Sequence, residues 1–201
     1  MTGVANKSAS KDAMVGSAAH KQTDGKIIWI DLEMTGLNDQ ADVILEIACV
    51  VTTGTLEIIA QGPNIVIHQP DMLLNKMDHW CTTTHTKSGL IDKVRASTTT
   101  VEEAEQQVLS FLREHCQEGK SPLGGNSVWM DRLFLMRWMP RLAKFLHYRT
   151  IDVSTIKELI KVWYPPTEHK KFKKNNVHRA LDDIIESIDE LKCYKHHFFK
   201  E

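Results

Sequence analysis

Asp31 and Glu33 are the two residues of this sequence best placed to do chemistry together. They follow Ile27-Ile28-Trp29-Ile30 and precede Gly36, a pattern that predicts a buried strand with acids at its far end. Strand side chains two apart share a face, so the two carboxylates stand close together while Leu32 points the other way. Like charges so placed repel until one takes up a proton or a cation joins them. Hard oxygen ligands select Mg²⁺ or Mn²⁺ over zinc. An acid pair of this kind also occurs as an ordinary solvated strand end, so further acids from elsewhere in the chain must complete a site.

The elements that would position those acids follow from periodicity and turn residues. Residues 42–51 and 56–60 read as second and third strands separated at hairpin distance by Gly54, and residues 64–68 continue the strand pattern, giving a three-stranded antiparallel start. Glu46, inside the second run, reads as a strand acid facing solvent and stays outside the site. Residues 71–80 and 88–95 read as short helices around a polar link, 81–87. Thr100 and Glu103 have capping-box spacing and open an amphipathic helix with Val101, Ala104, Val108, Phe111 and Leu112 on one side; His115 reads as its core-edge histidine. Residues 121–128 form a short strand whose Gly124 and Gly125 let another group approach the backbone, and Asp131 follows in an apolar stretch ending near Pro140. Residues 148–153 read as a strand, with Ser154 or Thr155 capping a helix through Trp163 that Pro165-Pro166 ends. After a basic, solvated loop at 169–174, Leu181, Ile184, Ile185, Ile188, Leu191, Tyr194 and Phe198 keep helical period in a final helix from about His178 to Phe199. A meander followed by alternating helices and strands is an α/β architecture with a mixed sheet.

Composition narrows the setting. The 201 residues, 42% hydrophobic and 25% charged, suit one globular domain over 26–201. A formal charge of −1 gives no global attraction for long nucleic acid, so a bound polyanion is short or held locally. The scattered Cys49, Cys81, Cys116 and Cys193 form no metal knuckle or disulfide framework and fit an intracellular, reducing compartment. The sequence has no membrane-spanning run and no secretory apolar region. Residues 1–25 are expected to be a disordered extension; as a mitochondrial targeting segment they have lysines but no arginine, and carry Asp12 and Asp24.

Four motifs in order then carry a family resemblance: Trp-Ile-Asp-Leu-Glu-Met-Thr-Gly-Leu (29–37), Gly-Asn-Ser-Val-x-x-Asp (125–131), His-Tyr-Arg-x-x-Asp-Val-Ser-Thr (147–155) and His-Arg-Ala-Leu-Asp-Asp-Ile (178–184). With them the chain resembles the DEDD exonucleases, and more closely the oligoribonuclease family, from about Ile27 to Lys200. The resemblance implies a ribonuclease H-like exonuclease fold with a central mixed sheet flanked by helices. It implies hydrolysis of RNA of two to a few nucleotides from the 3′ end to 5′-mononucleotides, with two Mg²⁺ or Mn²⁺ ions activating water and neutralising the leaving oxygen. Asp31, Glu33, Asp131 and Asp183 are then the metal acids and His178 the general base, imidazole titrating near neutrality. Helical arithmetic alone leaves Asp182 and Asp183 equivalent; the family's His-x-x-x-x-Asp spacing selects Asp183.

The same resemblance makes Leu37 an apolar wedge and Trp80 a stacking aromatic, with core packing the ordinary alternative for both. It sets His85 and Ser127 near the scissile or sugar groups. It has Tyr148 and Arg149 reach the 5′ phosphate from the partner subunit of a homodimer. Trp129-Met130 departs from it, standing before Asp131 where relatives usually carry small or polar residues. The implied location is intracellular: mitochondrial, cytoplasmic or nuclear. The alternatives are a proofreading-type exonuclease on single-stranded DNA and a catalytically silent nucleotide-binding protein.

Overall fold

The strand β1 (Lys26–Met34) is buried on both faces, and its alternation assigns each face a helical layer. Ile28, Ile30 and Leu32 enter one apolar cluster, and Ile27 and Trp29 enter another. The computed structural model describes residues 24–167, 172 and 179–199. β1 pairs antiparallel with β2 (Ile44–Thr53), which pairs antiparallel with β3 (Ile58–Val66) at the sheet edge. Strand β3 is continuous through Gly62-Pro63, where the sequence suggested two separate runs; an edge strand tolerates the missing proline N–H.

Three short helices follow, α1 (Asp71–Leu74), α2 (His79–Lys87) and α3 (Leu90–Ala96), then the long α4 (Val101–His115) with the expected capping box on Thr100 and Glu103. The segment expected to be a polar link is itself α2. Its three consecutive threonines carry little helix propensity, but Asp78 caps it by accepting the Cys81 N–H at 2.7 Å, and Cys81 and His85, one turn apart, are both buried.

β4 (Leu123–Gly125) lies parallel to β1, and β5 (Thr150–Asp152) parallel to β4, giving the mixed order β3-β2-β1-β4-β5. Between them run α5 (Trp129–Trp138) and α6 (Pro140–Phe145); after them come α7 (Val153–Trp163) and α8 (Ala180–Phe198). Gly124 is required where it stands, since a Cβ there would lie 2.8 Å from Ile27 and 3.2 Å from the Trp29 ring. Asp152, not Ser154 or Thr155, caps α7: its Oδ1 accepts the Ser154 N–H at 3.0 Å. The same oxygen also accepts the Ser127 N–H at 2.9 Å, so the cap ties two loops together.

Helices α4, α5 and α6 cover the sheet face of Ile28 and Ile30, and α7 and α8 cover that of Ile27 and Trp29. The odd-numbered residues of β1 therefore point toward α8, and at the end of the strand they are Asp31 and Glu33.

Candidate active site

Asp31, Glu33 and Asp183 each offer a carboxylate oxygen, and these oxygens lie within 4.8 Å of one another. The packing explains the convergence. Ala180 and Ile184 are buried against the sheet, which turns half-buried Asp183, in the first turn of α8, toward β1 and leaves Asp182 exposed. Burial, and next the charge of Asp183, push the Glu33 carboxyl up to about 8; Glu46 and Asp131 add to the rise and Arg179 opposes it. A donor set made only of carboxylate oxygens under mutual repulsion fits a hard divalent cation.

Asp131 stands outside that group of three. It is buried in the first turn of α5, and its Oδ1 accepts the Leu32 N–H at 2.9 Å, between the two strand acids. Burial pushes its carboxyl up to about 7, against the pull of that hydrogen bond. Trp129, the departure from the family pattern, lines a separate hollow of about 320 Å³ with Leu159 and Val162, and Met130 packs on the core.

Glu46 corrects the sequence reading: it is buried, with 0% exposure, not solvent-facing. It stands opposite Glu33 in the β1–β2 register and accepts two bonds from the Arg179 guanidinium, with Nε at 3.0 Å from Oε2. Oε2 also lies 3.5 Å from the Ala180 N–H, at the start of a helix that has no side-chain cap of its own. The signal in the sequence was an acid flanked by Leu45 and Ile47 in an apolar run, with an arginine just before the last helix. His178, the expected general base, lies outside the described residues.

A cavity of about 510 Å³ opens beside Glu33 and is walled by Leu37, Trp80, Cys81 and His85. Leu37 is 68% exposed and Trp80 60%, so neither is a core residue. His85 is buried beneath them, its Nε2 2.9 Å from the Met34 carbonyl and its Nδ1 3.8 Å from Glu33 Oε2. Ser127 does not line this cavity. It is exposed on the β4–α5 loop with positive φ (51°), its N–H held by Asp152 and Ser154.

Tyr148 and Arg149 are also exposed, the Arg149 guanidinium carbon 5.0 Å from the centre of the Tyr148 ring. Thr150 is level with Leu123, which is level with Ile28, so this pair sits at the amino end of the parallel strands, whereas the acids sit at the carboxyl end. The fold does not bring Arg149 to the acids of its own chain.

The RNase T family model for exonucleases matches residues 28–191. The oligoribonuclease of Marinobacter nauticus is 53% identical over 175 residues, which is 87% of this chain and 97% of that protein. The oligoribonuclease of Bordetella pertussis is 51% identical over 177 residues, 88% of this chain and 97% of that protein. Among solved structures, exonuclease I has a similar fold, with TM-score 0.65 and 15% identity over 86% of this chain. The zinc-bound form of the E. coli exonuclease I complex with single-stranded DNA gives TM-score 0.65 and 15% identity over 88%. This chain spans 41% of the length of each of these exonuclease I chains. The ribonuclease H-like exonuclease fold expected from the sequence is the one observed.

Proposed function

The chain belongs to the oligoribonuclease family of exonucleases, and on that premise we propose that it hydrolyses RNA of two to a few nucleotides from the 3′ end, releasing 5′-mononucleotides. The observation that carries this reading is the convergence of three carboxylates beside a small cavity with an exposed aromatic and an exposed leucine. Asp31, Glu33 and Asp183, with Asp131 behind Leu32, would hold two Mg²⁺ or Mn²⁺ ions, which when bound supply charge neutralisation at the phosphate and the leaving oxygen.

The chain's own residues do the rest. Trp80 offers a face on which any base stacks, and Leu37, on the same cavity, packs against a base, which suits sequence-tolerant binding. A cavity of about 510 Å³ has room for a nucleotide or two. Buried His85 supports the wall next to Glu33, and Ser127, on its own loop, is assigned the sugar side. His178, one residue before Arg179, takes the proton of the attacking water.

Tyr148 and Arg149 serve the 5′ phosphate of a substrate bound to a second copy of the chain. Their place at the far end of the sheet supports that assignment, and exposed Trp129, Val162 and Trp163 offer apolar area for a homodimer. An intracellular setting, mitochondrial, cytoplasmic or nuclear, belongs to the same proposal, supported by cysteines that form no disulfide among the described residues. Among the described residues no helix is long and apolar enough to cross a membrane.

The test is product analysis with 5′-labelled RNA of graded length from dinucleotide to about twenty nucleotides, beside matched DNA, with Mg²⁺ or with chelator. Rapid Mg²⁺-dependent loss of the shortest RNA supports the proposal. Equal or faster digestion of long single-stranded DNA would replace it with the proofreading reading.

A further inference from the structure

Leu37 stands out in solvent, and an exposed leucine on a free loop must be ordered each time a base packs on it. Its loop is not free. Asp42 braces it from inside: Oδ1 accepts the Thr35 hydroxyl at 2.8 Å, and Oδ2 accepts the N–H of Asn38, the residue after Leu37, at 2.9 Å. The Thr35 hydroxyl oxygen accepts the Val43 N–H at 3.1 Å, and the Thr35 N–H donates to the Val43 carbonyl at 3.0 Å, closing the neck of the loop. A Cβ on Gly36 would collide with the Asp42 carboxylate, so the residue before Leu37 is the one that makes room for the brace. From outside, Trp138 Nε1 donates to the Asp42 carbonyl at 3.1 Å and Arg137 Nη2 to the Gln40 carbonyl at 3.0 Å.

We propose that Asp42 is a positioning residue for substrate binding: its carboxylate holds residues 35–43 in one conformation, so that Leu37 is in place on the cavity it shares with Trp80 before substrate arrives. This rests on the proposed contact between Leu37 and a base. It extends that reading by placing the affinity of the wedge in a carboxylate that lies outside the acid cluster. The arrangement favours a carboxylate. An asparagine of the same shape keeps an acceptor for the Asn38 N–H but puts an N–H₂ group on the Thr35 hydroxyl, whose oxygen already accepts the Val43 N–H, so the hydroxyl loses the acceptor for its own proton.

The test is a double-mutant cycle on hydrolysis of a diribonucleotide with Mg²⁺, using Asp42→Ala, Leu37→Ala and the double variant, with Asp42→Asn beside them. Asp42→Ala should raise KM about tenfold, the factor set by re-ordering roughly one residue of backbone at each binding event, and leave kcat within about twofold. Asp42→Asn should fall between it and wild type. The double variant should be no worse than Leu37→Ala alone, because without the leucine there is nothing left to position. Gly36→Ala should mimic Asp42→Ala by displacing the carboxylate.

A fully additive double variant, or an unchanged KM in Asp42→Ala while Leu37→Ala is impaired, overturns the inference and leaves the role of Leu37 standing. An unchanged KM in Leu37→Ala removes that role, and this inference with it. If Asp42→Ala does not fold by thermal denaturation, Thr35→Val, which deletes the hydroxyl's bond to Asp42 together with the bond it accepts from the Val43 N–H, takes its place in the cycle. A raised KM that vanishes in the Leu37→Ala background then supports the brace, and an additive or unchanged KM overturns it.

Discussion

Replacing Glu33 by glutamine should make the cation-free protein more stable and the enzyme inactive. The Glu33 carboxyl moves from an ordinary 4.5 to about 8 in the fold. Because the folded value lies above the unfolded one, the group supports the fold fully below about 4.5, and that support is lost as pH rises through about 8. Linkage over that interval makes the ionisable side chain cost on the order of 4 kcal/mol at pH 8 and less than about 1 kcal/mol at pH 5. Glutamine keeps the volume and carries no charge. With chelator present, Glu33→Gln should exceed wild type by about 2 to 4 kcal/mol at pH 8 and match it at pH 5. Excess Mn²⁺ should stabilise wild type at pH 8 through binding to the folded state alone, and the variant much less. Urea denaturation at the two pH values, with EDTA or with Mn²⁺, measures all of this. A stability gain equal at both pH values, or a wild type indifferent to Mn²⁺ at pH 8, would refute the account of a buried Glu33 carboxyl raised further by the acids beside it.

Three further outcomes are expected. Trp80→Ala should weaken dinucleotide binding by about 1 to 3 kcal/mol, seen as a raised KM with folding intact, since the ring is exposed. Arg179→Ala should destabilise by about 3 to 5 kcal/mol in chemical denaturation, because it strands the fully buried Glu46 carboxylate. Mixing Asp31→Ala with Arg149→Ala protein should restore dinucleotide hydrolysis that each lacks, since the heterodimer holds one site with intact acids facing an intact Arg149. Heterodimers proven by mass and still inactive would show that Arg149 does not act across an interface.

The two strand acids were legible because a period of two is the most direct code a sequence has, and four apolar residues fix its phase. Asp183 was not legible from geometry. The period of α8 left it level with Asp182, and only the docking of Ala180 and Ile184 on the sheet separates them. Glu46 was misread because an acid in a strand is normally a surface residue, and the arginine that makes its burial tolerable is 133 residues away. Helix α2 was missed for the opposite reason. Its threonines argue locally against a helix, and burial of Cys81 and His85 outweighs them. Tyr148 and Arg149 could be named from the family pattern, but only strand register shows them at the opposite end of the sheet from the acids.

The split of the acid cluster between β1 and α8 also sets a clock. Asp31 and Asp183 are 152 positions apart (183 − 31), which at 5 to 20 residues per second is roughly 8 to 30 s of synthesis. Through that interval the growing chain displays Asp31 and Glu33 with no α8 to face them. The acid cluster is therefore incomplete until α8 has emerged and docked. A nuclease whose acids all lay in its first strands would have no such delay.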